Sequence, residues 1–427
     1  MKATKWYDWL QYAALLLMTV AVPNSWRLAL LATPLIGAAT VLKMAAQRHI
    51  GNPALSTPLR VALLAPVAYW LLLALSLQWS GDVATGLVLL RLKAVLLILP
   101  ACFLLSDTSY LTSRHMRGFG YALLLGCVAA FLYFLANAGI EMHKAEEFNF
   151  KTFQDSFYNR EHDIVYHHAY IALYTVVAMA FVYHELSSHW REVGVYPRVR
   201  PVWWRIVLIV CLLLIVAHTV IVNSRAGMVA MGLTAAACVV HLLLQSRNWK
   251  LALVVGLLAA AAIFAATKLV PGYVDRLAKT VENVEDDART KINRSNFHAV
   301  MERPWLGYGA GDYHACQVEQ YGDDGFEAGV SAGYNAHNQY MESLLSTGIP
   351  GLLVILFFLL SPLCLALFPG HRFSFFILLT TAVVMLNLLF ESMLERQMGL
   401  LFIGPLYALM VLIMSVEENK FGQVRKS

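Results

Sequence analysis

The sequence predicts an all-α polytopic membrane protein with about twelve transmembrane helices and one large helical loop between the ninth and tenth. The 427-residue chain is 59% hydrophobic and only 14% charged, against the roughly 25% charge of a typical soluble domain. Its long apolar runs lack the alternation expected of a membrane barrel. A single extended polar stretch, residues 271–340, interrupts these runs.

Each predicted span is an apolar run near the length that a helix needs to cross the bilayer, ~20 residues. In chain order the runs are 8–23, 27–43, 60–79, 84–105, 118–138, 165–184, 203–222, 225–245, 250–270, 351–369, 373–391 and 397–415. No small-residue cleavage site follows the first run, so we expect a retained span rather than a signal peptide. The spans leave no room for a separate soluble domain, and residues 1–427 are predicted to form one integral membrane domain.

Lysine and arginine residues predict the orientation of these spans. They precede span one and follow spans two, four, six, eight, ten and twelve, and cytoplasmic connections are the ones enriched in these residues. We therefore expect both termini in the cytoplasm. The large loop, 271–340, and a smaller polar segment, 139–163, then face outward. The net charge of +5 follows from this topology, and we expect no nucleic-acid partner.

Cysteine and histidine spacing gives no indication of a metal site. Five of the six cysteines lie in apolar runs, and Cys316 is alone in the polar loop. His162, His167 and His168 lack a clean ligand spacing with other candidate ligands. We therefore predict no metal site.

The large loop ends in the polar run 334–338, immediately before the chain becomes apolar again. Asn335 is predicted to cap a short helix that carries His337 in its first turn and ends at residues 348–351. The positive end of a helix favours neutral imidazole, which can accept a proton, so His337 is a candidate general base. From spacing alone, a histidine that only hydrogen-bonds its own loop fits equally well.

Two arginines at the outer face are candidate anion ligands. Arg225 is predicted to lie in the first turn of span eight, behind the capping pair Asn223-Ser224. The helix dipole opposes a cation there, and either a bound phosphate or contact with lipid phosphates would compensate. The spacing of Arg289 to Glu285 favours a surface ion pair of little energy.

Two further clusters contain charges near the membrane. Arg91 and Lys93 lie within span four, where cations are costly and often functional, and could reach a lipid-linked phosphate. The alternative is that they extend outward to the interface, which Arg91 does more easily. Glu391 and Glu395 could orient a base or bind sugar hydroxyls, but Arg396 beside them favours an exposed turn with a local ion pair.

Three stretches together resemble the bacterial O-antigen ligase family, whose domain is shared with O-antigen polymerases. The first is similar to the family's Ser-Arg-x-Gly entry to a central span, the second to its Arg…Pro-x-x-Gly-x-Gly segment, and the third to its His-Asn…Gly-x-x-Gly stretch. In this sequence they are residues 223–227, Arg289 with residues 302–309, and residues 336–351.

The resemblance implies an enzyme of the bacterial inner membrane whose active site lies in a periplasmic loop, here 271–340. It would transfer a polysaccharide from undecaprenyl pyrophosphate to a sugar hydroxyl of lipid A–core, with inversion and without a metal or other cofactor. His337 would be the catalytic base. Arg225 and Arg289 would bind the pyrophosphate, with Lys93 and Arg91 as further candidates.

Three further residues are candidates for contacting the acceptor or supporting the base: Asn338 and Tyr334 beside His337, and Glu391 at the end of span eleven. Several functions remain open from the sequence. An O-antigen polymerase or an O-linked protein oligosaccharyltransferase would use the same donor with another acceptor. A polysaccharide or lipid transporter is the alternative of a different class, and Lys93 within a span is the feature that favours it.

Overall fold

A computed structural model describes residues 5–145, 153, 167–187, 201–246, 249–269, 288–367 and 373–424, and these are almost entirely helical. In chain order the helices are α1 (Trp6–Ala21), α2 (Trp26–Gln47), α3 (Thr57–Ser76), α4 (Val83–Leu92), α5 (Val95–Leu105), α6 (Ser113–Ala145), α7 (His168–Ser187), α8 (Pro201–Val222), α9 (Arg225–His241), α10 (Trp249–Leu269), α11 (Ala288–Glu302), α12 (Tyr313–Asp323), α13 (Glu327–Ala332), α14 (Gln339–Ala366), α15 (Ser374–Phe390) and α16 (Gln397–Val424). Short 3₁₀ turns follow α3 and precede α16, and a π-helical turn follows α9.

The helical membrane architecture is confirmed, whereas the count of twelve spans is not. Among the described residues, eight helices are long and apolar enough to cross a membrane, and the pair α4–α5 makes a ninth candidate. The other three predicted spans form α1, α10 and α15, of which α1 and α15 are shorter than a candidate span and α10 is described only in part. Within the smaller polar segment, α6 continues to Ala145, and residues 146–152 and 154–163 lie outside the described ranges.

The structure has two helix breaks, one within predicted span four and one at residues 348–351, where the sequence predicts that the helix after His337 ends. Span four bends by 48° between α4 and α5, at Lys93 and Ala94. Helix α14 is interrupted at Gly348, whose φ of 68° and ψ of −158° are not helical. A side chain at this φ would be strained. A Cβ at Gly348 would also meet the backbone of Trp305, so glycine is required for both reasons.

The break in α14 is held by the loop 303–311. Tyr308 N–H donates to Leu345 O at 2.8 Å, and Gly309 N–H donates to Ser346 O at 2.9 Å. Ile349 N–H donates in return to Pro304 O at 2.9 Å. These bonds satisfy backbone groups that the interrupted helix leaves without partners. The glycine-rich motif found in the sequence therefore has a structural role at this break.

Helix directions bring several chain segments to one end of the bundle. Gly227 of α9 lies against Ala172 of α7, and Tyr183 hydrogen-bonds Cys238 O further along, so α7 and α9 run parallel. His241 stacks on Phe375, so α15 runs antiparallel to them. The end where α7 and α9 begin and α15 ends is called the loop end below.

The opposite end of the bundle contains two buried ion pairs. Lys43 Nζ lies 2.5 Å from Asp8 Oδ1, and Arg117 pairs with Glu185. Glu185 is 17 residues beyond the start of α7, so this end is about 25 Å from the loop end at 1.5 Å per residue.

Candidate active site

His337 lies at the loop end, two residues before α14 begins. The cap of α14 is Asn338, whose Oδ1 accepts hydrogen bonds from Tyr340 N–H at 3.0 Å and Met341 N–H at 3.3 Å. The prediction of Asn335 as the cap was wrong, because Asn335 Oδ1 instead accepts from His337 N–H at 3.2 Å. His337 thus precedes the first turn rather than lying in it. Its φ of 46° is uncommon for a non-glycine residue, and such strain is often found at functional sites.

Glu391 is the partner of the His337 ring. His337 Nδ1 lies 3.3 Å from both Oε1 and Oε2 of Glu391, which is only 4% exposed. A carboxylate at Nδ1 holds the proton on that nitrogen, which leaves the Nε2 lone pair free to accept another. The His337 side chain is 27% exposed, so a substrate can reach it. The pair has the chemistry of an oriented general base.

His167, immediately before α7, lies on the other side of Glu391. Its Nδ1 is 3.8 Å from Glu391 Oε2. Burial lowers the pKa of His167, which therefore favours its neutral form. Burial alone would raise the pKa of Glu391, but the hydrogen bond from His337 and the charge of Arg289 help to keep it below its usual range. Within the described ranges, no three His, Cys, Asp or Glu side chains converge as metal ligands would.

Glu342 and Ser392 connect the two segments that carry this pair. Glu342 Oε1 accepts hydrogen bonds from Ala336 N–H at 2.7 Å and from the Ser392 hydroxyl at 2.9 Å. Ser392 Oγ in turn accepts from Asn338 N–H at 3.1 Å. Residues directly adjacent to His337 and Glu391 are therefore fixed to each other. The network holds the strained backbone of His337 in place.

Arg289 reaches the same site from α11. Its Nη1 donates to Phe390 O at 3.0 Å, one residue before Glu391. Glu285, the partner suggested by spacing, lies outside the described residues. Arg396 is exposed, and its charge acts on His167 as that of Arg289 does. This side of the site therefore contains cations that no carboxylate in the described part of the chain pairs with.

Arg225 is the first residue of α9, as the sequence predicts. The Ser224 hydroxyl accepts from Gly227 N–H at 3.3 Å and caps the helix, and Asn223 has a positive φ of 51°. Arg225 is exposed at the loop end and forms no ion pair or hydrogen bond with any described residue. An exposed guanidinium at a helix N-terminus can bind an anion.

Lys93 and Glu395 form a buried pair beneath this surface. Lys93 Nζ lies 2.5 Å from Glu395 Oε1, which also accepts from Gln339 Nε2 at 2.8 Å. Tyr313 OH donates to Glu395 Oε2 at 3.0 Å. The interpretation of 391–396 as an exposed turn with a local ion pair was wrong, because Glu391 and Glu395 both have partners from distant segments. Arg91, at the end of α4, is exposed.

The remaining predicted residues also lie close to His337. The rings of Tyr334 and His337 have centroids 6.2 Å apart, and Asn338 is the helix cap. The sequence reasoning missed Glu342, Ser392 and Tyr313. A signal for Glu342 was present, since Gln339, Glu342, Ser343, Ser346 and Thr347 repeat at steps of three and one. That spacing puts polar groups on one helical face directed toward protein.

One comparison with known protein families finds a match over part of the chain. The sequence profile of the O-Antigen ligase family matches residues 209–356, which include Arg225, Arg289, the loop 303–311 and His337. No curated protein matches the sequence. The match supports the resemblance of residues 209–356 to the O-antigen ligase family.

Proposed function

We propose that the protein is an O-antigen ligase that transfers a polysaccharide from undecaprenyl pyrophosphate to a sugar hydroxyl of lipid A–core. The observation that carries the proposal is the His337–Glu391 pair, with Nδ1 3.3 Å from the carboxylate and Arg289 bonded to the preceding residue. The protein would lie in the bacterial inner membrane with both termini in the cytoplasm. The loop end would then face the periplasm.

In this reaction His337 Nε2 takes the proton of the acceptor hydroxyl as its oxygen attacks the anomeric carbon. The bond from that carbon to the pyrophosphate oxygen breaks, and undecaprenyl pyrophosphate leaves with the bonding electrons. Attack opposite the leaving group inverts the anomeric centre. Glu391 stabilises the imidazolium that forms, as an orienting carboxylate does in other His-dependent enzymes.

The leaving pyrophosphate needs compensation for its charge. Arg289 and Arg225 would supply it, because a guanidinium binds phosphate oxygens through two parallel N–H donors. Fixed cations aimed at a developing charge are among the strongest contributions to catalysis. Lys93 is bonded to Glu395, so its contribution would pass through the turn 391–396, while the exposed Arg91 would meet the donor at the membrane.

An apolar groove supports a donor with a polyprenyl chain. The groove has a volume of about 490 Å³ and opens between α14 and α15. Its lining residues are Tyr340, Leu352, Leu356, Ala382, Met385, Leu386 and Leu389. It begins three residues beyond His337 and one residue before the Phe390 carbonyl that holds Arg289. A chain in this groove would place its pyrophosphate near both arginines.

An O-antigen polymerase and an O-linked protein oligosaccharyltransferase would use the same base and the same donor. They differ from a ligase in the acceptor, which is another lipid-linked chain or a Ser or Thr hydroxyl. The transporter alternative depends on a charged residue in a broken span, and Lys93 meets that description. Its charge is paired with Glu395, which makes a structural ion pair the simpler explanation.

Deleting the gene and analysing the surface glycolipid separates these functions. Loss of a ligase leaves bare core, with polymer accumulating on undecaprenyl pyrophosphate. Loss of a polymerase leaves core that carries a single repeat unit, and loss of a transporter traps the donor in the cytoplasmic leaflet. Complementation with His298→Ala should restore the wild-type glycolipid, whereas His337→Ala should not. His298 is a matched control because it lies in the same loop and pairs with Asp324.

A further inference from the structure

Helix α11 and the turn after it present an apolar surface that no other described element covers. Phe297 is 54% exposed, Met301 61%, Trp305 71% and Leu306 55%. The first three follow one another at steps of four, so they lie along one side of the helix and its extension. The opposite side of α11, with Ile292 and Ala299, is buried. We refer to Phe297, Met301, Trp305 and Leu306 as the α11 patch.

We propose that the α11 patch lies in the headgroup region of the membrane and that its partner is the anionic phospholipid surface. The helix would then rest on the bilayer as an interfacial element rather than project into water. This inference does not depend on the proposed reaction, because it is carried by surface chemistry and position alone.

The position of Trp305 is the first argument. Its backbone lies against Gly348, where α14 is broken. Beyond this break the same helix exposes Leu353 and Phe357, at 59% and 48%, on a candidate membrane span. Leu353 is five residues from Gly348, or about 8 Å along the helix. The α11 patch therefore lies within about two helical turns of residues that α14 exposes on a candidate membrane span.

The types of residue are the second argument. Tryptophan is enriched at the level of lipid headgroups, where its ring is in an apolar layer and its N–H can meet water or phosphate. Residues 288–303 contain four cations and one carboxylate, Glu302. The cations are Arg289, Lys291, Arg294 and Arg303. Glu302 accepts a hydrogen bond from Tyr308 OH at 3.0 Å, while Arg294 and Arg303 are exposed beside the patch. This balance suits negatively charged lipid.

Contact with lipid would set the depth of Arg289. Arg289 lies on the same helix, eight residues before Phe297, and α11 is a single helical segment. Fixing the α11 patch at the interface would hold Arg289 close to the layer of lipid phosphates.

Tryptophan quenching in proteoliposomes tests the proposal. The full-length protein and its Trp305→Phe variant are reconstituted in phosphatidylethanolamine and phosphatidylglycerol, with bromine either near the headgroups or near the ends of the acyl chains. The difference between the two proteins is the Trp305 signal. It should lose roughly half of its intensity with the shallow bromines and much less with the deep ones, as expected for a ring at headgroup depth.

Two further variants complete the test, each with one tryptophan introduced into the Trp305→Phe protein. Met301→Trp should restore shallow quenching, and it does so independently of any local change at position 305. Glu319→Trp, on the exposed side of α12, should respond only to a quencher in water. Quenching of Trp305 by aqueous iodide without quenching by bromolipid would overturn the proposal. Protection from both would also overturn it, because a protein partner would then cover the patch.

Discussion

Both ends of the helical bundle contain buried carboxylates beside cations, but the ends differ in how fully these charges are paired within the protein. At the opposite end Arg117 Nε donates to Glu185 Oε1 at 2.7 Å, a second guanidinium nitrogen lies 2.5 Å from Oε2, and the Glu185 side chain is fully buried. Tyr121 OH adds a third donor at 2.5 Å. Both oxygens of that carboxylate accept hydrogen bonds within the protein, so neither is available to a ligand.

At the loop end the pairing is incomplete. Glu391 binds a histidine at 3.3 Å rather than an arginine, and that histidine is partly exposed. Among the described residues, Arg289 bonds only a backbone carbonyl, and Arg225 is exposed. A structural ion pair uses all of its charges internally, whereas a site for an anionic substrate keeps cations and a basic nitrogen accessible. This difference between the ends points to the loop end as the place of chemistry.

Replacement of His337 by alanine should give the largest loss of activity. Transfer from a lipid pyrophosphate donor should fall about 10²–10⁴-fold, the usual contribution of a positioned base. The measurement is initial rate with purified protein in proteoliposomes. His298→Ala, in the same loop, should stay near the wild-type rate. Equal losses of transfer rate in the two variants would mean that His337 does not act as the specific base.

Glu391→Gln should give a smaller loss, about 10²-fold, because the base remains but its orientation does not. A glutamine can donate as well as accept, so it no longer holds the proton on His337 Nδ1. The loss should appear in kcat, with the donor KM little changed. Glu319→Gln on α12 is the exposed control and should leave both kcat and the donor KM unchanged. A Glu391→Gln protein that transfers at the wild-type rate would show that the Glu391 carboxylate does not orient the His337 base.

Arg289→Lys should weaken donor use by about tenfold, which corresponds to one charge-assisted hydrogen bond. Lysine keeps the charge but loses the planar pair of donors that matches phosphate. We expect the change mainly in the KM for the pyrophosphate donor. Arg27→Lys, exposed on α2, is the matched control. An unchanged KM for Arg289→Lys would place the pyrophosphate elsewhere.

At the opposite end Glu185→Gln should leave the rate per folded molecule almost unchanged. Its effect should be on stability, since removing one partner of a buried pair typically costs about 3–5 kcal/mol. Thermal unfolding of the detergent-solubilised protein measures this. Glu141→Gln breaks the exposed pair with Lys144 and should shift the midpoint little. If folded Glu185→Gln protein lost turnover without losing stability, the assignment of a structural role to the opposite end and a catalytic role to the loop end would be wrong.

Local features of this fold could be predicted from the sequence. The described parts of the apolar runs form helices. Ser224 caps α9 with Arg225 at its first position, as predicted, because capping depends on neighbouring residues alone. The cap of α14 was misplaced by three residues. The correct choice of Asn338 requires knowing that the backbone of Ala336 is fixed by Glu342 from the next turn and that of Asn338 by Ser392 from another segment.

Long-range pairs could not be predicted in this way. Lys93 and Glu395 are 302 positions apart, and His337 and Glu391 are 54 apart. Local composition around residues 391–396 resembles an exposed turn, and only the packing of α14 against α15 buries Glu391 there. The count of twelve spans stays a prediction. Hydropathy detects apolar runs, but the bend at Lys93 and the lengths of α1 and α15 are seen only in the structure.

Chemical rescue of the His337→Ala protein tests the central claim most directly. If His337 acts as the base held by Glu391, added imidazole should enter the space left by the ring and restore part of the transfer rate, in a concentration-dependent manner. The double variant His337→Ala with Glu391→Gln should respond much less, because the carboxylate that orients the imidazole is missing. Full transfer by His337→Ala without imidazole would contradict the claim, and so would equal rescue of both proteins.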